Sequence, residues 1–183
     1  MRKLFIALAA IGLAGSAAAQ VKWVKPGQLQ CLAPAGQTLD QDILPLQPGQ
    51  DVRVRVRMAK DNFDPKSTTA AVLGFGGMED HTAIFVGLAA NDRTKIFVVL
   101  QKGGEEQLIG RYDSNSGDWI DFRLKMDSSG LIKVRGDART GEIQLKGAVP
   151  PKMWLHCQSG EFDIEISPES YIPPPVAPAA PAQ

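Results

Sequence analysis

Glu161, Asp163 and Glu165 occupy every second position of the segment Glu161-Phe162-Asp163-Ile164-Glu165. Side chains alternate across a strand, so the three acids would project from one face and Phe162 and Ile164 from the other. Paired carboxyl groups can cleave glycosidic bonds, and retention of configuration needs them about 5–5.5 Å apart. Cα atoms four residues apart in a regular strand lie about 13 Å apart, so Glu161 and Glu165 would meet only over a bend or bulge. A second pattern offers a different use for the same acids. Arg53, Arg55 and Arg57 alternate with Val52, Val54, Val56 and Met58, a basic row of the same period. If the two strands are neighbours in one sheet with both charged sets outward, opposite charges face each other, at roughly 0.2–1 kcal/mol per pair. A solvated arginine row, or one that meets an acidic glycan, is the remaining alternative.

The two cysteines, Cys31 and Cys157, carry the next chemistry. Met1-Arg2-Lys3 is a basic head, Leu4 to Gly15 an apolar run, and Ala17-x-Ala19 a small-residue cleavage pattern. Together they read as an export signal over residues 1–19, with cleavage after Ala19. No lipid-accepting cysteine lies at that junction. The apolar run is shorter than the roughly 20 residues a spanning helix needs, and no later stretch is a candidate span. The expected location is therefore periplasmic or secreted, with no membrane insertion after cleavage. In an oxidising compartment two cysteines can pair and stay paired, and with only two the connectivity is forced if a bond forms. A bond closing so long a loop would contribute about 4–5 kcal/mol in the chain-entropy model.

The other candidate groups are sparser. His81 and His156 are the only histidines, without ligand spacing around them, so no metal site is expected. Asp113-Ser-Asn115-Ser-Gly117-Asp118 hints at a calcium loop. Its glycine falls one position early for an EF-hand loop and no glutamate closes it, so a polar turn is expected, and calcium is the only cofactor the sequence suggests. Gly74-Phe75-Gly76-Gly77 lacks the spacing and following helix of a phosphate loop and reads as a bulge or bend. Trp119 leads a segment whose Ile120, Phe122, Leu124 and Met126 share one face, so Trp119 would point outward with Asp121 and Arg123. Trp119 and Arg123 are the candidate sugar-binding pair, the alternative being a tryptophan that caps the edge of the sandwich. Trp154 alternates with Met153, Leu155 and Cys157, so one of those two sets faces outward. Lys and Arg total 20 and Asp and Glu total 20. Loss of Arg2 and Lys3 leaves the exported chain slightly acidic, which argues against a nucleic-acid binder.

The elements that must position these groups are strands. Candidates are 51–58, 71–75, 83–88, 95–101, 107–112, 119–126, 131–135, 142–146, 153–157 and 161–167. Between them lie the turn signals Asn91-Asp92, Gly103-Gly104, Ser114-Asn115-Ser116-Gly117, Asp127-Ser128-Ser129-Gly130, Thr140-Gly141 and Ser159-Gly160. No helical period is persuasive and no internal repeat is present. Short strands at near-regular spacing predict an all-β domain over residues 20–167, a two-sheet antiparallel sandwich of about 10–12 strands. Residues 168–183 are rich in Pro and Ala and include Pro173-Pro174-Pro175; they predict a disordered extension.

Three segments in order resemble a concanavalin A-like (laminin G-like) jelly roll: VRVRVRM early, WIDFRLKMDSSGLIKVRGD late, and MWLHCQSGEFDIEI closing. The resemblance covers roughly 50–167 and implies a two-sheet jelly roll whose members include glycan binders, protein binders and polysaccharide-cleaving enzymes. Glu161-Phe162-Asp163-Ile164-Glu165 resembles the E-x-D-x-E signature of laminarinase-type glycoside hydrolases. Carried over, Glu161 is the nucleophile, Glu165 the acid/base, and Asp163 tunes the pair. In that family several substrate-binding strands follow the motif, whereas here residues 166–183 follow, so no cleavage of β-glucans is expected.

Two classes of function remain open, with a third beside them. The first is an exported, non-catalytic domain binding carbohydrate or a cell-envelope polymer. The second is a glycoside hydrolase using the acidic triplet. An envelope structural or protein-interaction module is not separable from the first by sequence. Whether the triplet lines a groove or faces the arginine row discriminates the hydrolase from the others.

Overall fold

The computed structural model describes residues 18–43, 45–77, 82–89, 92–115, 117–137, 139–147 and 149–167. Most of the expected export signal, the whole Pro/Ala-rich segment and His81 lie outside the described residues. Among the described residues thirteen strands, numbered in chain order, form two antiparallel sheets. The seven-stranded sheet runs, in spatial order, β1 (Gln20–Lys25), β2 (Gln28–Leu32), β13 (Gly160–Ser167), β4 (Asp51–Asp61), β9 (Ile120–Met126), β10 (Leu131–Arg135) and β11 (Thr140–Gln144). The six-stranded sheet runs β3 (Thr38–Ile43), β12 (Met153–Gln158), β5 (Ala70–Phe75), β6 (Ala83–Ala89), β7 (Asp92–Lys102) and β8 (Glu105–Asp113). This is the antiparallel sandwich that the alternation predicts.

The strand count exceeds the expected 10–12 because the chain from Gln20 to Ile43 is also extended, as β1, β2 and β3. β1 and β3 are edge strands, each paired on one side only, and their sequences QVKWVK and TLDQDI mix polar residues into both faces. Strand formation there depends on β2 and β12, which the local pattern does not reveal. Trp119 stands one residue before β9 rather than inside it, and β11 starts at Thr140 rather than Glu142.

Period-two alternation builds the core. Val52, Val54 and Val56 of β4, Phe122, Leu124 and Met126 of β9, and Phe162, Ile164 and Ile166 of β13 are each at most 4 % exposed. They meet Leu73, Ile84, Val86 and Leu155 from the other sheet. Burying one such side chain contributes about 1.5–3 kcal/mol. The tight link from β9 to β10 has an identifiable cause. The Asp127 carboxylate accepts from the backbone N–H of Ser129 (2.8 Å) and of Leu131 (3.1 Å), and Gly130 takes the left-handed conformation, φ +81°, at which L side chains are strained.

Early and late elements meet in both sheets: β13 lies between β2 and β4, and β12 between β3 and β5. Cys31 of β2 and Cys157 of β12 are disulfide-bonded, with Cα atoms 6.4 Å apart and 126 positions apart in sequence. Both are fully buried, so the bond ties the two sheets together through the core. A polar seam joins the sheets as well. Arg93 of β7 donates from Nε to Asp61 of β4 at 2.9 Å and from Nη2 to the hydroxyl of Thr69 at 2.8 Å. Thr69, fully buried, donates in turn to Asp61 at 2.7 Å.

Candidate functional site

The acidic triplet and the arginine row lie side by side on β13 and β4, on the face of the seven-stranded sheet that points away from the core. Antiparallel register sets Asp163 opposite Arg57 and Glu165 opposite Arg55. Arg57 Nη2 lies 2.6 Å and Nε 3.1 Å from Asp163 Oδ2, and Arg55 Nη1 lies 2.8 Å from Glu165 Oε2. From β2, Gln30 donates to Asp163 Oδ1 at 2.9 Å and Gln28 to Glu165 Oε1 at 3.3 Å. The row departs from the simple triplet-to-triplet expectation at both ends. A register shift between Glu161 and Phe162 carries Glu161 opposite Lys60, whose Nζ is 3.2 Å away. Arg53 falls opposite Ser167 and donates from Nε to Asp121 of β9 at 2.7 Å. That hydrogen bond, with the charge of Asp121, holds the Arg53 guanidinium above its ordinary range.

A charge-reversal series tests the ladder. Changing Glu161, Asp163 and Glu165 together to Lys sets cations opposite Lys60, Arg57 and Arg55, and is expected to destabilise by about 1–3 kcal/mol more than the Gln/Asn/Gln set. Adding Lys60→Glu, Arg57→Glu and Arg55→Glu recovers part of the loss, and both effects shrink with salt because the arginines are part-exposed. Equal denaturant midpoints for the two triple variants would show that the contacts contribute nothing.

Trp119 points outward with Asp121 and Arg123, as the alternation predicts. Its ring is already engaged: the guanidinium carbons of Arg55 and Arg57 lie 4.7 and 4.8 Å from the ring centroid, within cation–π range. Arg123 is 61 % exposed at the side chain and lies 3.9 Å from Asp51. Triplet, arginines and tryptophan are thus brought together as a cross-strand array, with Arg123 at its margin.

The remaining sequence candidates separate. His156, on the outer side of β12, is 2.8 Å from Asp40 of β3. Its neighbour Cys157 is taken by the disulfide. Asp113 forms an ion pair with Lys95 across β7 and β8. Among the described residues no group of three His, Cys, Asp or Glu could hold a metal ion. Gly74 and Phe75 belong to β5, and Gly76 turns out of it with φ +81°. Met153, Leu155 and Cys157 face the core, so Trp154 is on the outer side, yet it is only 9 % exposed. It lies flat on Gly74, its register partner, where a Cβ would sit 1.9 Å from the ring. Trp23 of β1 packs against the margin of the core.

The outer face of the six-stranded sheet holds residues that the sequence reading did not single out as a site. Val72, Phe85, Val99 and Leu108 stand in one cross-strand row over β5, β6, β7 and β8, all half-buried. Phe97 is one step along β7, opposite Gly87, which has no side chain to compete for the space. Phe85, Phe97, Val99, Gln101 and Glu106 line a shallow depression together with Thr68. Arg111 closes one side, its guanidinium 5.3 Å from the Phe97 ring centroid and 3.3 Å from Asp92. Hydrogen bonds from the Thr94 hydroxyl and backbone N–H, and then the charge of Arg111, hold Asp92 below the ordinary carboxylate range. The signal was available as alternation: Phe85, Phe97 and Val99 sit out of phase with Ile84, Val86, Ile96 and Val98. Because both faces of these strands are apolar, periodicity alone does not say which one is the core.

No family model matches this chain, and no curated protein is significantly similar to it. Several solved structures are partly similar to this chain. A homodimeric agglutinin from chicken liver shares 16 % identity over 72 % of this chain and 100 % of its own, with a TM-score of 0.43. The carbohydrate-binding module CBM66 from Bacillus subtilis shares 9 % over 81 % of this chain and 89 % of its own, with a TM-score of 0.42. A Bacillus licheniformis β-glucanase shares 11 % over 80 % of this chain and 79 % of its own, with a TM-score of 0.46. At these identities and TM-scores the matches carry no argument about role; the strand pairing of this chain itself gives the two-sheet antiparallel sandwich that the concanavalin A-like resemblance implied.

Proposed function

We propose that this chain is an exported, non-catalytic β-sandwich that binds carbohydrate or a cell-envelope polymer on the outer face of its six-stranded sheet. The observation that carries the reading is the half-buried row Val72-Phe85-Val99 with Phe97 beside it, bordered by Gln101, Glu106 and Arg111. Sugar rings present C–H faces that pack on aromatic and aliphatic side chains, and hydroxyls that hydrogen-bond to a polar border. The absence of catalysis is supported by the state of the triplet: Glu161, Asp163 and Glu165 are each engaged by a cation, and two of them also by an amide.

The test is a glycan array followed by calorimetric titration of the best hit. Phe97→Ala is expected to weaken binding about tenfold through lost ring contact, with unfolding still cooperative. Binding unchanged in a Phe85→Ala, Phe97→Ala double variant removes this face from consideration. Reducing-sugar release from laminarin, abolished by Glu161→Gln, would overturn the non-catalytic reading and restore the hydrolase.

A further inference from the structure

Beside the ion-pair ladder, the seven-stranded sheet carries a charge pattern over β4, β9 and β10. Register places Arg53, Arg123 and Arg135 directly abreast on β4, β9 and β10, and Lys125 directly beside Lys133. Like charges directly opposite one another destabilise a sheet, and here they are stacked over three adjacent strands. Arg53 is neutralised by Asp121. Among the described residues, Arg123 and Lys133 have only distant acidic partners, Asp51 at 3.9 Å and Glu142 at 3.7 Å, and remain 61 % and 64 % exposed. Lys125 and Arg135 are exposed, with no acidic partner within ion-pair distance among the described residues. The chain as a whole has formal charge zero, so the patch is local and not a reflection of general basicity.

We propose that the outer face of β9 and β10 binds an extended acidic polysaccharide, a chain of carboxylate-bearing sugars. The cations form a grid, about 4.8 Å between strands and about 6.8 Å between alternate residues of one strand. That spacing suits charges carried one to a sugar. The guanidinium forks of Arg123 and Arg135 match carboxylates two-to-two, while Lys125 and Lys133 act as point charges. The acids at the margins favour this ligand over the other polyanions. Asp51 and Glu142 close the lysine row at its two ends. A nucleic-acid duplex, with a charge every ~1.7 Å of axis, would press phosphates onto them. An anionic membrane is also a poor fit, because the exposed large hydrophobics among the described residues, Val24, Phe63 and Val149, all lie outside β9 and β10.

The probe is polygalacturonate, titrated against the purified full chain at low and at physiological salt. Wild-type protein is expected to bind, more weakly as salt rises. Combining Arg123→Gln, Lys125→Gln, Lys133→Gln and Arg135→Gln is expected to weaken binding at least about tenfold. The melting temperature should hold or rise, because opposed like charges have been removed; a patch that merely held the sheet together would show a fall. Lys102→Gln with Lys146→Gln, outside the grid, should leave binding intact. Absence of wild-type binding, equal binding by the fourfold variant, or tighter binding to duplex DNA or phosphatidylglycerol vesicles than to polygalacturonate would each overturn the assignment. Sugar binding at the six-stranded face is a separate measurement, and neither result depends on the other.

Discussion

Replacing Cys31 and Cys157 together with Ala is expected to lower the unfolding free energy by about 4–5 kcal/mol. The bond joins positions 126 apart, so in the unfolded chain it closes nearly the whole domain into one loop, and the entropy it removes grows with the logarithm of loop length. Its folded-state role adds to this. Both sulfurs sit in the core between β2 and β12, so truncation also leaves a void where the two sheets meet. Denaturant unfolding of oxidised, reduced and double-alanine protein separates the terms. Reduced and double-alanine forms should fall together, well below the oxidised protein, with the small remaining gap measuring the void. A loss below about 1 kcal/mol in both forms would mean that the sandwich does not depend on the constraint.

Gly74→Ala is expected to cost about 3 kcal/mol, although alanine suits a strand better than glycine. The added Cβ would lie 1.9 Å from Cε2 and 2.0 Å from Cζ2 of Trp154, far inside van der Waals contact. Neither backbone can withdraw, because β5 is held by β12 on one side and β6 on the other. The indole must therefore leave the sheet surface and give up a position in which it is only 9 % exposed. Its fluorescence should move to the red as the melting temperature falls. Trp154→Ala alone should cost a similar amount, and the double variant clearly less than the sum, since each change removes what the other damages. Additive losses, or an unshifted emission spectrum, would show that the ring does not rest on Gly74.

Particular residues show how far the sequence could be read. The β4 segment Val52-Arg53-Val54-Arg55-Val56 was legible in full, because strict alternation between charge and β-branched side chains is compatible with one buried and one wet face only. The β9–β10 hairpin was equally legible, because Asp127 and Gly130 define its turn locally. On β6 and β7 both faces are apolar, so Phe85 and Phe97 were indistinguishable by pattern from core residues. The candidate binding face was missed for that reason. Trp119 was correctly turned outward, but its two arginine neighbours come from another strand, so its occupied ring could not be foreseen.

The amino-acid sequence by itself determined the all-β class, the inward and outward sets of most strands, and the single possible cysteine pairing. Each follows from a property of neighbouring residues or from a count. Tertiary structure alone decided which charges became partners. Arg55 and Arg57 met the acids of β13, Arg53 turned to Asp121, and one register shift delivered Glu161 to Lys60. It also decided that cations would stand abreast on β9 and β10, and that glycine would be required beneath Trp154. Register between strands far apart in the chain is set by the packing of the whole core, and no local pattern of residues contains it.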